Sequence, residues 1–388
     1  MHEGRKMDNK KKILIVNDLP KAGGVEKLMY DFVWHWHDRY NITVMTEHYC
    51  DGVEKLYPKN VQYICTSIKK EYRHNIFEKI YTKIYRKLHN KWVSDKIKKE
   101  KFDIAIAMKE GWVAKKVAKL NIPIKYVWIH TDYHGNYYTK DIFGSSENEL
   151  KCFKKFHKVV CVANTIRESI IDIIGDPGNL VVKYNPIDVE NVIKKSNEPI
   201  KDFDILKTKD IIRFVTVGRL SRQKGFDLLL EACHMLECDG LKFQVIVIGS
   251  KEAWDDEAYR LHQAQKRLNV KSVIFIGGRK NPYKYMKTAD WFLSSSIYEG
   301  YSLVSQEAAV LNIPLILTDC SGVRELLGNN EYGIVMENSV LGIYKGMKKV
   351  IEHPELRSYY EGRIQERKHI INFYQRIKDI EELIGENC

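Results

Sequence analysis

Residues Ser294–Leu327 read SSSIYEGYSLVSQEAAVLNIPLILTDCSGVRELL, and the architecture can be built outward from them. The preceding Trp291-Phe292-Leu293 is a buried strand. Tyr298-Glu299-Gly300-Tyr301-Ser302 is a turn, Leu303–Val310 a helix and Pro314–Leu317 a second apolar strand. Thr318–Gly322 is a small polar turn, and Val323 starts another helix. Strand, loop, helix and strand in that order make one unit of a parallel α/β sheet. Ligands of such sheets sit beyond the carboxyl ends of the strands, where this loop lies.

Two carboxylates stand out. Glu299 lies in the loop beside Gly300. Glu307 lies in a helix whose other residues include Leu303, Val304, Ala308, Ala309, Val310 and Leu311. A carboxylate there is costly to bury without a hydrogen-bond partner. A ribose diol offers two hydroxyl donors side by side; exposure to water or pairing with an arginine are the plain alternatives. The backbone N–H groups of Gly300, Tyr301, Ser302 and Leu303 lie at a helix N-terminus, which favours a phosphate.

The same alternation runs through the rest of the chain. Lys12-Ile13-Leu14-Ile15-Val16 reads as a central parallel strand. It leads through Gly23-Gly24-Val25-Glu26 into a helix. Glycines at that junction either let backbone approach a phosphate or make a plain tight turn. Strands are predicted at 42–45, 61–65, 103–107, 125–129, 158–162, 211–217, 242–249 and 272–276, with helices between most of them. His130 and Asp132 follow the strand at 125–129. Gly218-Arg219-Leu220-Ser221-Arg222-Gln223-Lys224-Gly225 links a strand to a helix, so Arg219 and Lys224 flank the place where a diphosphate would lie. Two surface cations are the alternative there. Gly277-Gly278-Arg279-Lys280-Asn281 forms a further loop. Asn191–Asp210, polar and charged, reads as an interdomain linker.

Lys69–Glu100 carries eleven basic residues against four acidic ones. Ile76, Phe77, Ile80, Ile84, Leu88 and Trp92 recur at helical spacing among lysines. The pattern admits two readings: an ordinary helix with its apolar stripe on the sheet, or a helix docking through Lys79, Lys83, Lys87 and Lys91 on an anionic membrane surface.

At 388 residues the chain has room for two domains, and 44% hydrophobic with 29% charged residues is a globular composition. The net charge of +12 attracts anions of several kinds: nucleic acid, acidic lipid or phosphorylated substrate. The eight cysteines are scattered without C-x-x-C pairs, which argues against zinc and disulfide frameworks and for a reducing compartment. No segment has the length of a membrane span. The only Asp-x-Asp, Asp202-Phe203-Asp204, falls in the linker, so no metal is expected beneath the diphosphate.

The Glu299-x7-Glu307 spacing resembles the E-x7-E motif of glycosyltransferase family 4, as do its surroundings E-G-Y-S-L-V-S-Q-E-A and T-D-C-S-G-V-R-E-L-L. V-G-R-L-S-R-Q-K-G-F, G-G-V-E and Asn185-Pro186-Ile187-Asp188 resemble that family's other loops. The resemblance runs from about residue 12 to the C-terminus and is strongest between Val215 and Val335. It implies the GT-B fold: two Rossmann-like, doubly wound parallel-sheet domains facing across a cleft. Residues 1–190 would bind the acceptor and 191–368 the nucleotide sugar, with a C-terminal helix, 369–388, returning to the N-terminal domain.

The resemblance also implies a retaining transferase that moves a hexose or N-acetylhexosamine, with UDP-sugars favoured over GDP-sugars. The acceptor would be a lipid-linked saccharide or oligosaccharide in surface polysaccharide synthesis. Arg219 and Lys224 would grip the diphosphate, Glu299 the donor hydroxyls and Glu307 the ribose. His130 would contact the donor sugar, Arg279 would frame the base, and Gly23 and Gly24 would face the diphosphate. Glu26 and Asp132 fall to the acceptor side. The nucleotide sugar is a substrate, so no cofactor is expected, and the place of action is the cytoplasm, peripherally at the inner face of the cell membrane. A sugar-nucleotide epimerase of the same architecture is one rival reading. A nucleic-acid-binding protein is a second, though no DNA- or RNA-binding signature supports it. A noncatalytic partner subunit is a third, opposed by the intact Glu299, Glu307, Arg219 and Lys224.

Overall fold

A computed structural model describes residues 10–19, 23–48, 52–67, 76–201, 211–250 and 256–385. The chain divides into two compact units. The first comprises Met1–Tyr133, Tyr137–Val162 and Arg167–Val182; the second comprises His134–Asn136, Ala163–Ile166 and Lys183–Cys388.

The first unit is built on seven strands: β1 Lys12–Asn17, β2 Asn41–Thr46, β3 Gln62–Cys65, β4 Ile104–Ala107, β5 Ile124–Ile129, β6 Lys158–Cys161 and β7 Leu180–Val182. Their order is β3-β2-β1-β4-β5-β6-β7, with every pairing parallel. Parallel neighbours require crossover connections, which explains the alternation of strand and helix in the sequence. Ile13, Leu14 and Ile15 are wholly buried, as a central strand covered on both faces must be. The first crossover helix, Gly24–Trp36, buries Leu28, Met29, Phe32, Val33 and Trp36, and Phe32 stacks on Trp36 at 4.6 Å. Strand β7 went unrecognised in the sequence, because three residues bounded by Asn179 and Lys183 show no period.

The second unit repeats the plan with six strands: β8 Ile212–Val217, β9 Phe243–Ile248, β10 Val273–Phe275, β11 Trp291–Ser294, β12 Leu315–Thr318 and β13 Ile334–Met336. Their order is β10-β9-β8-β11-β12-β13, again all parallel. Phe214, Leu229, Leu230, Trp291, Ile316 and Met347 join one hydrophobic core. In each sheet the strand order reverses at one place, between β1 and β4 in the first and between β8 and β11 in the second. A crevice opens beyond the carboxyl ends of the strands at such a reversal.

The stretch read as a linker opens differently from that expectation. Val189–Ser196 is a helix whose N-terminus is capped by Asp188, which accepts from the Asn191 N–H at 3.0 Å. The Lys195 carbonyl accepts from Asn281 at 2.9 Å, so this segment packs on its own unit. The Asp202-Phe203-Asp204 triplet lies outside the described residues.

Candidate active site

The two loops at the β8/β11 reversal are stitched together by short-range polar contacts. Gly225 has φ +57°, and a Cβ there would stand 2.2 Å from the Ser295 carbonyl, so only glycine lets the loops meet. Ser295 Oγ donates to the Lys224 carbonyl at 2.8 Å, and the Ile297 N–H donates to the Gln223 carbonyl at 2.8 Å. Gln223 Nε2 in turn donates to the Tyr298 carbonyl at 3.1 Å. This lacing brings Lys224 and Glu299 into a direct ion pair, with side chains 16% and 12% exposed. Ser296 Oγ donates to the same Glu299 oxygen at 2.8 Å.

Glu307 is buried, and its cost is met by the Tyr283 hydroxyl, which donates at 2.9 Å. Exposure of Glu307 to water is thereby set aside. Tyr283 begins the short helix Tyr283–Met286, directly after the Arg279 loop, and its N–H donates to Asn281 Oδ1 at 3.1 Å. Arg279 lies over the Tyr285 ring at 5.8 Å. The Arg279 loop and the Glu307 helix therefore share one hydrogen bond through Tyr283. Gly300 and Tyr301 are buried in the loop, and Leu303 starts the helix. Ser302 caps that helix, its Oγ accepting from Ser305 N–H at 3.4 Å and Ser305 Oγ at 3.0 Å. Arg219 is exposed. It opposes the upward push that burial gives the Tyr298 hydroxyl, which puts its charge close to this loop.

Glu325, in the T-D-C-S-G-V-R-E-L-L segment, accepts from the N–H groups of Asn164 and Thr165 at 3.1 and 2.9 Å and from the Tyr184 hydroxyl at 2.7 Å. Burial alone would raise its pKa, but these donors hold the carboxyl below its ordinary value.

In the first unit, Gly23 and Gly24 open the helix after β1. A Cβ on Gly23 would stand 2.3 Å from Glu26 Oε2, so the glycine makes room for a buried acid. Glu26 Oε1 accepts from Asn17 Nδ2 at 3.1 Å. Pro20, Lys21 and Ala22 lie outside the described residues.

His130 ends β5 half-buried. Its Nε2 lies 2.9 Å from the Met108 carbonyl, which can only accept, so Nε2 carries the hydrogen. Its N–H donates to Glu110 Oε2 at 3.0 Å, and Glu110 also receives Thr131 Oγ1 at 2.5 Å and the Tyr138 hydroxyl at 3.1 Å. Burial lowers the imidazole pKa, while Glu110 and the Met108 carbonyl pull it up. Glu110, Tyr283 and Ser296 were not singled out in the sequence. Glu110 and Ser296 lie just beyond the ends of β4 and β11, which could have signalled them; Tyr283, opening a helix, carried no such mark. Asp132 lies half-buried two residues beyond His130.

The basic helix spans Ile76–Glu100. Of its apolar stripe, the described side chains of Ile84, Leu88 and Trp92 are exposed and not packed on the sheet, whereas those of Ile76, Phe77 and Ile80 lie outside the described ones. Tyr81, Ile84, Tyr85, Leu88 and Trp92 are between 46% and 61% exposed, and Val93 is the buried apolar residue of the segment with described side chains. Tyr81, Tyr85, His89 and Trp92 stack in a row at 6.2, 6.3 and 5.6 Å. On the helix, 100° per residue places Lys91 to the side of this ridge and carries Lys87 and Lys83 round toward the opposite face, and all three are exposed. The side chain of Lys79 lies outside those described, as do residues 68–75. Among the described residues no helix is long and apolar enough to cross a membrane, and no group of three or more His, Cys, Asp or Glu is placed to hold a metal ion.

Comparison with known proteins adds the following. In Campylobacter jejuni, N-acetylgalactosamine-N,N'-diacetylbacillosaminyl-diphospho-undecaprenol 4-alpha-N-acetylgalactosaminyltransferase is 30% identical over 237 residues, covering 59% of this chain and 61% of that one. In Escherichia coli, UDP-Gal:alpha-D-GlcNAc-diphosphoundecaprenol alpha-1,3-galactosyltransferase is 24% identical over 308 residues, covering 74% and 75%. The matches span 61%, 52% and 48% of the length of the first curated relatives. Among solved structures, Anabaena HepE in complex with UDP and glucose matches at a TM-score of 0.72 with 17% identity, over 97% of this chain and 100% of that one, a likeness of fold. The profile described as "Glycosyltransferase Family 4" matches residues 22–191, and that described as "Glycosyl transferases group 1" matches residues 197–381. With its two halves matched in turn and a parallel sheet in each, this chain belongs to the GT-B glycosyltransferases of the family 4 type.

Proposed function

We propose that the protein transfers a hexose or N-acetylhexosamine from a nucleotide sugar, UDP-linked before GDP-linked, to a lipid-diphosphate-linked saccharide in surface polysaccharide synthesis, with retention at the anomeric carbon. The observation that carries this reading is the Lys224–Glu299 pair at the β8/β11 reversal, laced to Ser296, with Glu307 on Tyr283 in the same unit. The two named bacterial relatives act on undecaprenol-diphosphate-linked acceptors, and HepE holds UDP, which favours that donor and acceptor class.

The chemistry assigned to the site is a same-face displacement. The acceptor hydroxyl oxygen bonds to the anomeric carbon as the bond from that carbon to the diphosphate oxygen breaks. The departing diphosphate takes the acceptor proton. Lys224 has three donors and can hold Glu299 and a diphosphate oxygen together. Arg219 and the backbone N–H groups of Gly300–Leu303 share the developing charge. Glu299 holds donor hydroxyls, Glu307 the ribose, Arg279 the base, and His130 takes the donor-sugar role that the resemblance gives it. Glu26 and Asp132 are assigned to the acceptor. No metal enters the scheme.

The ridge on Ile76–Glu100 adds a place for the reaction. Exposed aromatic and aliphatic side chains on a lysine-rich helix suit an anionic lipid surface, where the lipid-linked acceptor resides.

Thermal-shift screening of UDP- and GDP-sugars, followed by transfer to a polyprenyl-diphosphate saccharide with and without EDTA, tests the proposal. A stabilising nucleotide sugar and EDTA-insensitive transfer are expected. Conversion of the donor without any acceptor would point to an epimerase, and binding of random DNA with no nucleotide affinity would sink the assignment.

A further inference from the structure

The helix Phe373–Gly385 buries Ile377, Ile380, Leu383 and Ile384, and with them a guanidinium. Arg376 is 6% exposed. Burying a cation is costly unless every donor is met. Among the described residues Arg376 forms no salt bridge. Its Nε donates to the Ile370 carbonyl at 3.0 Å, and its Nη1 donates to the Asn185 carbonyl at 2.6 Å and to Gln306 Oε1 at 2.5 Å. The guanidinium lies over two tyrosine rings, Tyr184 at 5.3 Å and Tyr301 at 5.9 Å, whose centroids are 5.1 Å apart.

Two of these partners belong to the Glu299–Glu307 segment. Tyr301 stands two residues after Glu299, and Gln306 stands immediately before Glu307. The contact with Gln306 also fixes its amide. With Oε1 on Arg376, Nε2 turns to the Ser302 carbonyl at 3.3 Å. Ser302 is the N-cap of the helix that carries Glu307. One buried side chain thus holds the segment at its ring, at its cap and at the residue preceding the second acid. A lysine has one ammonium and no planar fork, and cannot make these contacts together. A hydrocarbon of the same size would fill the space without fixing the orientation of Gln306.

The geometry points to Arg376 as a positioning residue for the donor segment, which makes the C-terminal helix part of the donor site. Arg376 acts through Tyr301, Gln306 and Ser302. The inference rests on the donor assignment above for its functional consequence, though not for its structural one.

The test uses the full chain with R376K and R376A. Hydrogen exchange at the amides of residues 299–307 should quicken in both variants while exchange in β8 and β9 stays slow. UDP affinity and donor kcat/KM should fall about 10- to 100-fold, the scale of lost positioning, with acceptor KM unchanged. Guanidinium ion at millimolar concentration should restore part of the R376A activity, which a general loss of stability would not allow. If R376A does not fold, R376K carries the test alone through exchange and donor kinetics. Wild-type exchange at 299–307 in R376K, or wild-type donor kcat and KM, overturns the inference. A wild-type protein that binds no nucleotide sugar, with exchange in R376K still quickened at 299–307, overturns the donor assignment and leaves the positioning intact.

Discussion

Two helices break the same rule in opposite directions. Leu303–Val310 is an apolar helix that buries a carboxylate, Glu307; Ile76–Glu100 is a charged helix that leaves Ile84, Leu88 and Trp92 exposed. Burial of polar groups and exposure of large apolar ones are the informative departures in a globular chain. The first departure is compensated inside the protein, because the Tyr283 hydroxyl reaches Glu307. The second finds no such compensation among the described side chains of its own unit. The first helix is therefore complete within its own unit, and the second leaves an apolar ridge uncovered among the described residues. Each side of that contrast can be attacked separately.

The largest effect belongs to the closed region. K224A removes the cation assigned above to the departing diphosphate and should lower kcat by about 10²–10³-fold, the loss seen when a preorganised charge-stabilising group is deleted. E299A should fall comparably. Because the two side chains are paired, the double variant should lose less than the product of the single losses. Strictly multiplicative losses in steady-state kinetics would show that the pair does not work as a unit.

The open region predicts a smaller number in a different assay. Replacing Ile84, Leu88 and Trp92 together with Ser should weaken partition onto anionic vesicles about 10- to 100-fold, because shallow insertion at an interface recovers only a fraction of the roughly 1.5–3 kcal/mol that full burial of each side chain would give. Folding stability should move by no more than about 0.5 kcal/mol per site, as for other exposed positions. Charge reversal at Lys79, Lys83, Lys87 and Lys91 should abolish the binding. A triple-Ser variant that unfolds at lower denaturant would mean the ridge packs within the protein after all, and the contrast between the helices would vanish.

Back in the closed region, Y283F keeps the ring and removes the donor to Glu307. Leaving a buried acceptor short of a partner costs about 1–3 kcal/mol, so donor affinity should weaken by around tenfold. Unchanged affinity by calorimetry would place Glu307 away from the ribose.

How legible these features were follows from what makes each of them. The helix Leu303–Val310 and the strands flanking it came directly from alternation of apolar runs with turn residues, because crossover topology imposes that alternation on the chain. Glu299 and Lys224 stand out as charges in strand-to-helix loops, Glu307 as an acid on an otherwise largely apolar helix, and all three match known motifs. Tyr283 and Ser296 were missed. A tyrosine or a serine is ordinary in any loop, and nothing local announces that its hydroxyl will meet an acid 24 or three residues away. Periodicity detected the ridge on Ile76–Glu100 but could not choose its partner, since the same pattern describes a helix packed on a sheet and one facing a lipid surface. β7 was invisible for a simpler reason: three residues are fewer than any period needs.

The smallest effect concerns His130, the residue whose charge state the first unit controls. Burial holds its pKa below the ordinary 6.5, against the pull of Glu110. The unfolded chain takes up a proton as pH falls through 6.5, while the native imidazole stays neutral until its own lower value is reached. Stability must therefore fall as pH falls through that window, by linkage at no more than about 1.4 kcal/mol per pH unit for one proton. Above 6.5 both states are neutral, and the residue contributes no pH dependence. H130Q should flatten the difference in denaturation midpoint between pH 7 and pH 5, and E110Q should carry the native titration to still lower pH. The histidine ring protons in NMR report this titration directly. A native His130 titrating above 6.5 would mean that Glu110 outweighs burial, and the ring would then enter the reaction as a cation, unable to accept a hydrogen bond from a sugar hydroxyl at Nδ1.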